Sequence, residues 1–364
     1  MRSSSGQHFL SLDHVRALAA LLVFEWHFLH GHQGQPVPFA THTLWDPLVL
    51  VDEGHIGVAL FMTLSGYLFA KLLDGKSVHY GYFLWNRALR LLPLLVTIIL
   101  IRSIEAGVSE GSWLGSVNFL TSMMRGLWLP IWPNGGWSIT VEMHFYLILP
   151  ILLAMRHRHP WWLVAIVLGA IAVRVALYLR LGEVQSLAYP TIIGRLDQFT
   201  LGIGAFQIRH KFQRRPVVAT ALLALLVTVY WWFLNQGGFF RQPSYPSPAP
   251  IWLILCTVEG ACCAGLIAWY DTSSSNRPGW MAHLWGRMGE YSYSLYLLHF
   301  FFVFGVADWI HRHWLDLSNF YVACAVGFGC FFLMLPLGYL SMRFIEGPFL
   351  KLRRPYTSGL ATPH

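Results

Sequence analysis

Residues 10–30 read LSLDHVRALAALLVFEWHFLH, a mostly apolar stretch that sets the fold class. About 20 such residues are enough for a helix to cross the hydrocarbon core of a bilayer. No small-residue cleavage site follows, so we expect the stretch to remain as a membrane helix and not to be removed as a signal peptide. Its ionisable residues include Asp13, Arg16 and His27. Such residues are unusual at membrane depth and indicate a functional site.

The same apolar character extends along the whole chain. Of its 364 residues, 55% are hydrophobic and 12% are charged, and the mean hydropathy is +0.50. Because soluble domains carry about 25% charged residues, the composition excludes a soluble globule, a disordered tail and a fibrous repeat. We predict an all-α, polytopic membrane helix bundle of about ten transmembrane helices. They lie near residues 10–30, 55–73, 88–105, 138–155, 161–180, 190–208, 217–235, 250–270, 292–311 and 321–344.

The distribution of positive charge predicts the orientation of the bundle. In a ten-helix arrangement that starts in the cytoplasm, most of the 25 lysines and arginines fall on the cytoplasmic side. We therefore predict that both termini are cytoplasmic. This bias accounts for the net charge of +8, so no nucleic-acid partner is expected. The five cysteines lie in apolar stretches without metal-ligand spacing, so no metal site is expected either.

Two groups of basic residues stand out. Arg16 and His27 are eleven positions apart, which places them on one face of a helix, about 16 Å apart along its axis. Arg87 and Arg90 are three apart, so both guanidinium groups face the same way and suit phosphate binding. Each group also has a structural interpretation. An intramembrane histidine can simply form a hydrogen bond to a neighbouring helix. Arginines beside the membrane can simply anchor the cytoplasmic end of a helix.

The segment after the turn at residues 133–136 carries a carboxylate, Glu142, at the outer depth predicted for His27. It could orient a histidine or accept its proton. Alternatively, Ser138 or Thr140 caps the helix and Glu142 only favours its dipole.

Two further segments place polar residues at mid-depth. Ser65 lacks the G-x-S-x-G context of a nucleophile, and its neighbour Gly66 indicates close helix packing. His299 is a mid-depth histidine of the ninth predicted helix.

Taken together, these segments resemble the acyltransferase-3 family of integral-membrane O-acyltransferases, in the family's motif order and over residues 12–350. LDHVRALAA at residues 12–20, which includes Asp13, is similar to the family's LDGLRGIAA, although His14 and Ala17 replace glycines. The other matches are the family histidine at His27, GVALFMTLSGYL at residues 57–68 with Ser65 and Gly66, the RxxR pair Arg87 and Arg90, the WSLxxE residues Trp137, Ser138 and Glu142, and YSLYLLH at residues 293–299 ending in His299.

The resemblance implies an enzyme that moves an acyl group, most often acetyl, from acyl-CoA to a hydroxyl of a cell-envelope glycan or related acceptor. It implies that Arg16, Arg87 and Arg90 bind the donor phosphates. His27 would act as general base, oriented by Glu142, with an acyl-histidine intermediate as an open variant. No metal is implied, and the expected partners are acyl-CoA, a glycan or lipid-linked sugar, and membrane lipids.

Several alternatives remain open from the sequence alone. The same intramembrane charges could belong to a permease for a glycan or small molecule, although no inverted repeat is visible. The acceptor could also be a macrolide, another antibiotic or a lipid head group, and the oligomeric state is unknown. The expected organisation is a membrane acyltransferase domain at residues 1–350 and a short cytoplasmic tail at residues 351–364. We expect this protein in the bacterial inner (cytoplasmic) membrane.

Overall fold

In the computed structural model, residues 9–31, 47–239, 246–274 and 279–359 are described, and most of them are helical. All ten segments predicted to cross the membrane contain helices. The helices are α1 (Leu10–His30), α2 (Val49–Asp52), α3 (Ile56–Leu73), α4 (Tyr80–Ser109), α5 (Trp113–Met123), α6 (Trp137–Arg158), α7 (Trp161–Leu181), α8 (Gln185–Ala188), α9 (Ile192–Gln207), α10 (Pro216–Asn235), α11 (Leu255–Ser273), α12 (Trp280–Glu290), α13 (Ser292–Leu298), α14 (Val303–His313), α15 (Phe320–Leu333), α16 (Leu335–Ser341) and α17 (Gly347–Leu350). Two short strands, β1 (Lys76–Val78) and β2 (Thr357–Gly359), form an antiparallel pair.

Six of the described helices are long and apolar enough to cross a membrane: α3, α4, α6, α7, α10 and the continuous helical stretch Phe320–Leu350. The α13–α14 pair, which is bent by 57°, would make a seventh. Helix α1 is not among them because it carries Asp13, Arg16 and Glu25, and α9 has only 16 residues. The count of ten spans and the cytoplasmic location of both termini stay predictions, and residues 1–8 and 360–364 lie outside the described part of the chain.

Helix α3 lies in the interior and touches its neighbours backbone to backbone. A Cβ atom added at Gly66 would lie 2.0 Å from the carbonyl oxygen of Phe199 on α9. One added at Gly57 would lie 2.4 Å from the carbonyl oxygen of Ala19 on α1. Only glycine fits at such separations, so the interpretation of Gly66 as a close-packing position is confirmed.

A fully buried ion pair joins three helices. Arg174 of α7 donates to Asp197 of α9 at 2.7 Å, and neither side chain is exposed. Thr257 of α11 donates to the same Asp197 oxygen at 2.5 Å and accepts from Arg174 at 2.6 Å. A charge in an apolar interior is tolerated when it is paired and hydrogen-bonded in this way. This pairing explains why the sixth predicted span carries charged residues.

A second buried group lies beside it on the same helix. Arg195 of α9 lies 3.4 Å from the Glu259 carboxylate of α11. Glu259 also accepts hydrogen bonds from Gln198 at 2.9 Å and from the hydroxyl of Tyr230 on α10 at 2.5 Å. Polar residues of α9 therefore bind α7 and α11, and Glu259 of α11 links α10 to the same group.

The start of α6 differs from the expectation. The helix begins at Trp137, and its capping residue, Gly136, offers no side chain. Ser138 donates back to the carbonyl of Gly135 at 3.0 Å, and Thr140 donates to the carbonyl of Gly126 at 2.7 Å. The alternative in which Ser138 or Thr140 caps α6 is wrong, because both residues lie inside the helix and their hydroxyls donate to carbonyls instead of accepting from its first N–H groups.

We predict that Asp197→Ala destabilises the fold by about 3–5 kcal/mol, since it leaves Arg174 charged, buried and unpaired. The loss would be measured as a fall in the thermal unfolding midpoint of the purified protein in detergent. Asp74→Ala is the control, because Asp74 forms a pair of the same length, 2.7 Å, with Arg156 but is 42% exposed. Surface pairs of this kind contribute little.

The double variant Arg174→Met with Asp197→Leu should recover much of the stability lost in the single variant, because both charges are removed together. Equal unfolding temperatures for Asp197→Ala and Asp74→Ala would contradict a stabilising role for the buried pair.

Candidate active site

A cavity of about 230 Å³ lies between α1, α3, α4, α6 and α13. Three residues of α3 line the cavity at intervals of one helical turn, and their neighbours show how the side chains are ordered along the cavity. Phe69 lies beside Arg87, Ser65 beside Glu142, and Phe61 beside the ring of Tyr296. The cavity therefore runs from a cationic end to a polar and aromatic end. Its charged and hydroxyl-bearing lining residues are Asp13, Arg16, Ser65, Arg87, Arg90, Ser138, Glu142, Tyr146, Glu290, Ser292, Tyr293, Tyr296 and Arg353.

The four arginines of the cationic end differ in how far their charge is compensated. Arg16 pairs with Asp13 one turn earlier on α1. Arg90 donates at 2.7 Å to the fully buried carboxylate of Glu346. Within the described residues, neither Arg87 nor Arg353 forms an ion pair with a carboxylate.

The cationic end is also the more accessible one. The side chain of Arg16 is 30% exposed and that of Arg90 is 21% exposed. By contrast, Ser138 at the other end is only 6% exposed. A ligand would therefore enter past the arginines.

The carboxylate of Glu142 occupies the middle of the cavity. It accepts hydrogen bonds from the hydroxyl of Ser65 at 3.3 Å and from the hydroxyl of Tyr146 one turn further along α6. Glu142 is the sixth residue of a helix that begins at Trp137. It is thus beyond the first turn, where helix-dipole effects are concentrated. The dipole interpretation does not account for Glu142, whereas its place in the cavity does.

His27 pairs with the other predicted intramembrane histidine, His299. Nδ1 of His27 lies 2.8 Å from the carbonyl of Val23 and 3.2 Å from Nε2 of His299. Nδ1 of His299 lies 3.2 Å from the carbonyl of Leu295. A carbonyl can only accept, so we assign the proton to Nδ1 in both rings. The basic nitrogen of His27 is then Nε2.

The structure does not bring together every residue that the sequence linked. Arg16 and Glu142 line the cavity, but His27 does not. The His27 ring lies beyond the cavity wall, with its centroid 5.0 Å from that of His299 and 4.5 Å from that of Phe300. The wall itself includes Tyr296, whose ring is 6.1 Å from His299. Among the described residues, Glu142 makes no hydrogen bond to His27.

Three other predicted motif residues have structural contacts at or near the cavity. The Trp137 ring packs at 4.9 Å against the ring of Tyr189, and Ser138 reaches the cavity from the same turn. Asp13 also approaches α12 closely, because a Cβ atom at Gly289 would lie 1.8 Å from its carbonyl oxygen.

Sequence reasoning missed three contributors to the site. The i,i+4 spacing of Glu142 and Tyr146 was a usable signal, since such residues are neighbours on a helix. Glu346, the partner of Arg90, lies in a π-helical turn at residues Met342–Glu346, and its sequence gives no sign of that pairing. Arg353 lies past the last helix and outside the recognised motifs.

Comparison with known proteins gives the family of the chain. Residues 9–339 match the acyltransferase domain that defines the acyltransferase-3 family. The chain belongs to this family. It is therefore an integral membrane acyltransferase, as the resemblance predicted. No solved structure matches the chain.

Similar curated proteins carry related names. A protein of Komagataeibacter xylinus, provisionally named membrane-bound transacylase BcsY, is 27% identical over 68% of this chain and 65% of its own length, just under two thirds. Nodulation protein 10 of Rhizobium leguminosarum bv. viciae is 26% identical over 96% of this chain and 95% of its own length. Acyltransferase MdmB of Streptomyces mycarofaciens is 26% identical, over 80% and 78% respectively.

We predict that a cysteine placed at Ser65 reacts with a small anionic methanethiosulfonate reagent in the native protein, because Ser65 lines a cavity whose open end is cationic. Thr63→Cys, two residues away on α3, should stay unlabelled, since Thr63 is fully buried. The measurement is the mass shift of each variant relative to the wild type, whose own cysteines set the background. Labelling of Ser65→Cys no higher than that of Thr63→Cys and the wild type would mean that the cavity is not accessible to the reagent.

Proposed function

We propose that this protein transfers an acyl group, acetyl in the first instance, from acyl-CoA to a hydroxyl of a cell-envelope glycan or lipid-linked sugar. We place it in the bacterial inner membrane. The observation that carries the proposal is one cavity with two different ends, in a member of an acyltransferase family. Arginines cluster at one end of this cavity, and the polar end borders the His27–His299 pair.

The donor assignment rests on the charge at the open end of the cavity. CoA carries several phosphate groups, and guanidinium groups bind phosphate by paired, charge-assisted hydrogen bonds. Of the predicted donor residues, Arg16 and Arg90 are paired with carboxylates, whereas Arg87 forms no ion pair within the described part of the chain, so we assign it the main contact. Arg90 forms an ion pair with Glu346, so we assign it to positioning the start of α4, and Arg16 adds positive charge from α1.

The proposed reaction is direct acyl transfer. Nε2 of His27 takes the proton of the acceptor hydroxyl, and the oxygen attacks the thioester carbonyl. A C–O bond forms and the C–S bond breaks. The CoA thiolate then receives the proton from the imidazolium. His299 holds His27 in the tautomer that leaves Nε2 basic.

Geometry adds two details to this reaction. Tyr296 must move for substrate to reach His27, because it forms the cavity wall on that side. We assign Glu142, with its partners Ser65 and Tyr146, to binding substrate within the cavity, in place of the expected contact with His27.

The acceptor class is carried over from the family resemblance. Membership of an acyltransferase family favours transfer over the alternative of a permease without acyl-transfer activity. The names of the similar proteins do not point to one shared acceptor, and a non-glycan acceptor would leave the proposed residue roles unchanged.

We predict that His27→Ala lowers kcat for acetyl transfer by about 10²–10⁴-fold, the range for loss of a general base, while acetyl-CoA still binds. The measurement combines turnover with acetyl-CoA binding, using purified protein in nanodiscs. His144→Ala is the control, since His144 bonds the carbonyl of Leu127 and does not line the cavity.

Full activity of a well-folded His27→Ala variant would remove His27 from the mechanism. If Glu142→Gln abolished turnover while His27→Ala retained it, the base would be Glu142. Failure of the wild type to bind acetyl-CoA or longer acyl-CoAs would contradict the donor assignment.

We predict that Arg87→Ala raises the KM for acyl-CoA about tenfold or more, the usual cost of a lost charge-assisted contact, and leaves the KM for the acceptor unchanged. Arg156→Ala is the matched control, an arginine paired with Asp74 and absent from the cavity lining. An unchanged KM for acyl-CoA would mean that Arg87 does not bind the donor and serves only as a cytoplasmic anchor of α4.

A further inference from the structure

The segment that follows the last helix is fixed against the start of α4. Strand β2 pairs with β1, with Ser358 opposite Ser77. The backbone N–H of His79 donates to the carbonyl of Tyr356 at 2.8 Å. The Tyr356 ring is 2% exposed and packs against Phe83. Residues 351–359 are therefore part of the folded structure, although the family match ends at residue 339.

A paired contact sets the position of the residues just before Tyr356. The side-chain amide of Asn86 donates to the carbonyl of Arg354 at 2.7 Å and accepts from its backbone N–H at 3.0 Å. Asn86 is fully buried. This contact holds the backbone next to Arg353 and places its side chain on the cavity that Arg87 also lines.

Among the described residues, no carboxylate lies within ion-pair distance of Arg353, since the nearby Glu346 pairs with Arg90. The Nε atoms of Arg353 and Arg87 are buried and have no hydrogen-bond partner among the residues that the structure describes. Burial, and then repulsion from Arg87 and Arg90, lowers the pKa of Arg353 to about 10. A cation held in this way favours an anionic ligand, because the ligand would supply the missing hydrogen bonds and relieve the repulsion. A role as a lipid-facing anchor does not explain a side chain turned into a cavity.

We propose that Arg353 and Arg87 together form an anion site that takes a phosphate group of the donor, so that the C-terminal segment is part of the donor site. For acyl-CoA as the occupant, this inference rests on the proposed function. Guanidinium groups on two separate segments suit a phosphate, which offers several acceptor oxygens in different directions.

The test compares two donors that differ in their phosphates. Acetyl-CoA carries them, and acetyl-pantetheine does not. In Arg353→Ala, kcat/KM for acetyl-CoA should fall about tenfold to a hundredfold, while kcat/KM for acetyl-pantetheine stays at the wild-type value. Arg353→Lys should restore part of the loss. Arg354→Ala is the control, since its exposed side chain lies over the Tyr82 ring and its backbone contacts with Asn86 are kept.

Each other outcome has a distinct meaning. Wild-type activity of Arg353→Ala with acetyl-CoA would overturn the anion site and leave the donor assignment intact. Equal losses with both donors would also overturn it, since they would indicate a structural role.

If the wild type binds no acetyl-CoA, the proposed function fails, and titration with inorganic pyrophosphate decides this inference. Pyrophosphate binding that is lost in Arg353→Ala would support the anion site. Binding that is absent in the wild type, or unchanged in the variant, would overturn it.

Discussion

The close approach of α3 to α9 is the constraint on which the rest of the site depends. At Gly66 the two backbones touch, and no side chain fits between them. The preceding residue, Ser65, is about 100° further round the same helix, where it lines the cavity and meets Glu142 of α6. A wider spacing would shift the α3 wall of the cavity by the same amount. The geometry of the site thus originates in a contact that contains no reactive group.

The ionisable residues divide by whether their charge is balanced. Arg174 and Asp197 neutralise each other in the interior and join helices. Such pairs let polar groups stay in an apolar interior. Arg87 and Arg353, by contrast, retain positive charge beside an accessible cavity. The paired residues explain how the bundle assembles, and the arginines that keep their charge indicate that the cavity favours an anionic ligand.

Composition and motif order predicted a large part of this structure, because helix formation in a membrane is a property of local sequence. Side-chain partners are different, since they depend on how distant segments meet. His27 and His299 are 272 positions apart. The sequence could therefore suggest Glu142 as a partner of His27, but it could not decide between Glu142 and His299. Arg353 had no signal, because only the folding back of the C-terminal segment brings it to α4.

A cavity inside a membrane protein is also a hazard to the electrochemical gradient across the membrane. The cluster of positive charge at the accessible end of this cavity repels protons and sodium ions, as arginines do in selective pores. At the far end, the rings of Phe61 and Tyr296 line the cavity and pack against each other. The same arginines that favour an anion therefore make the cavity a poor conductor of cations. The proposed donor could therefore reach part-way into the bilayer without opening a path for cations.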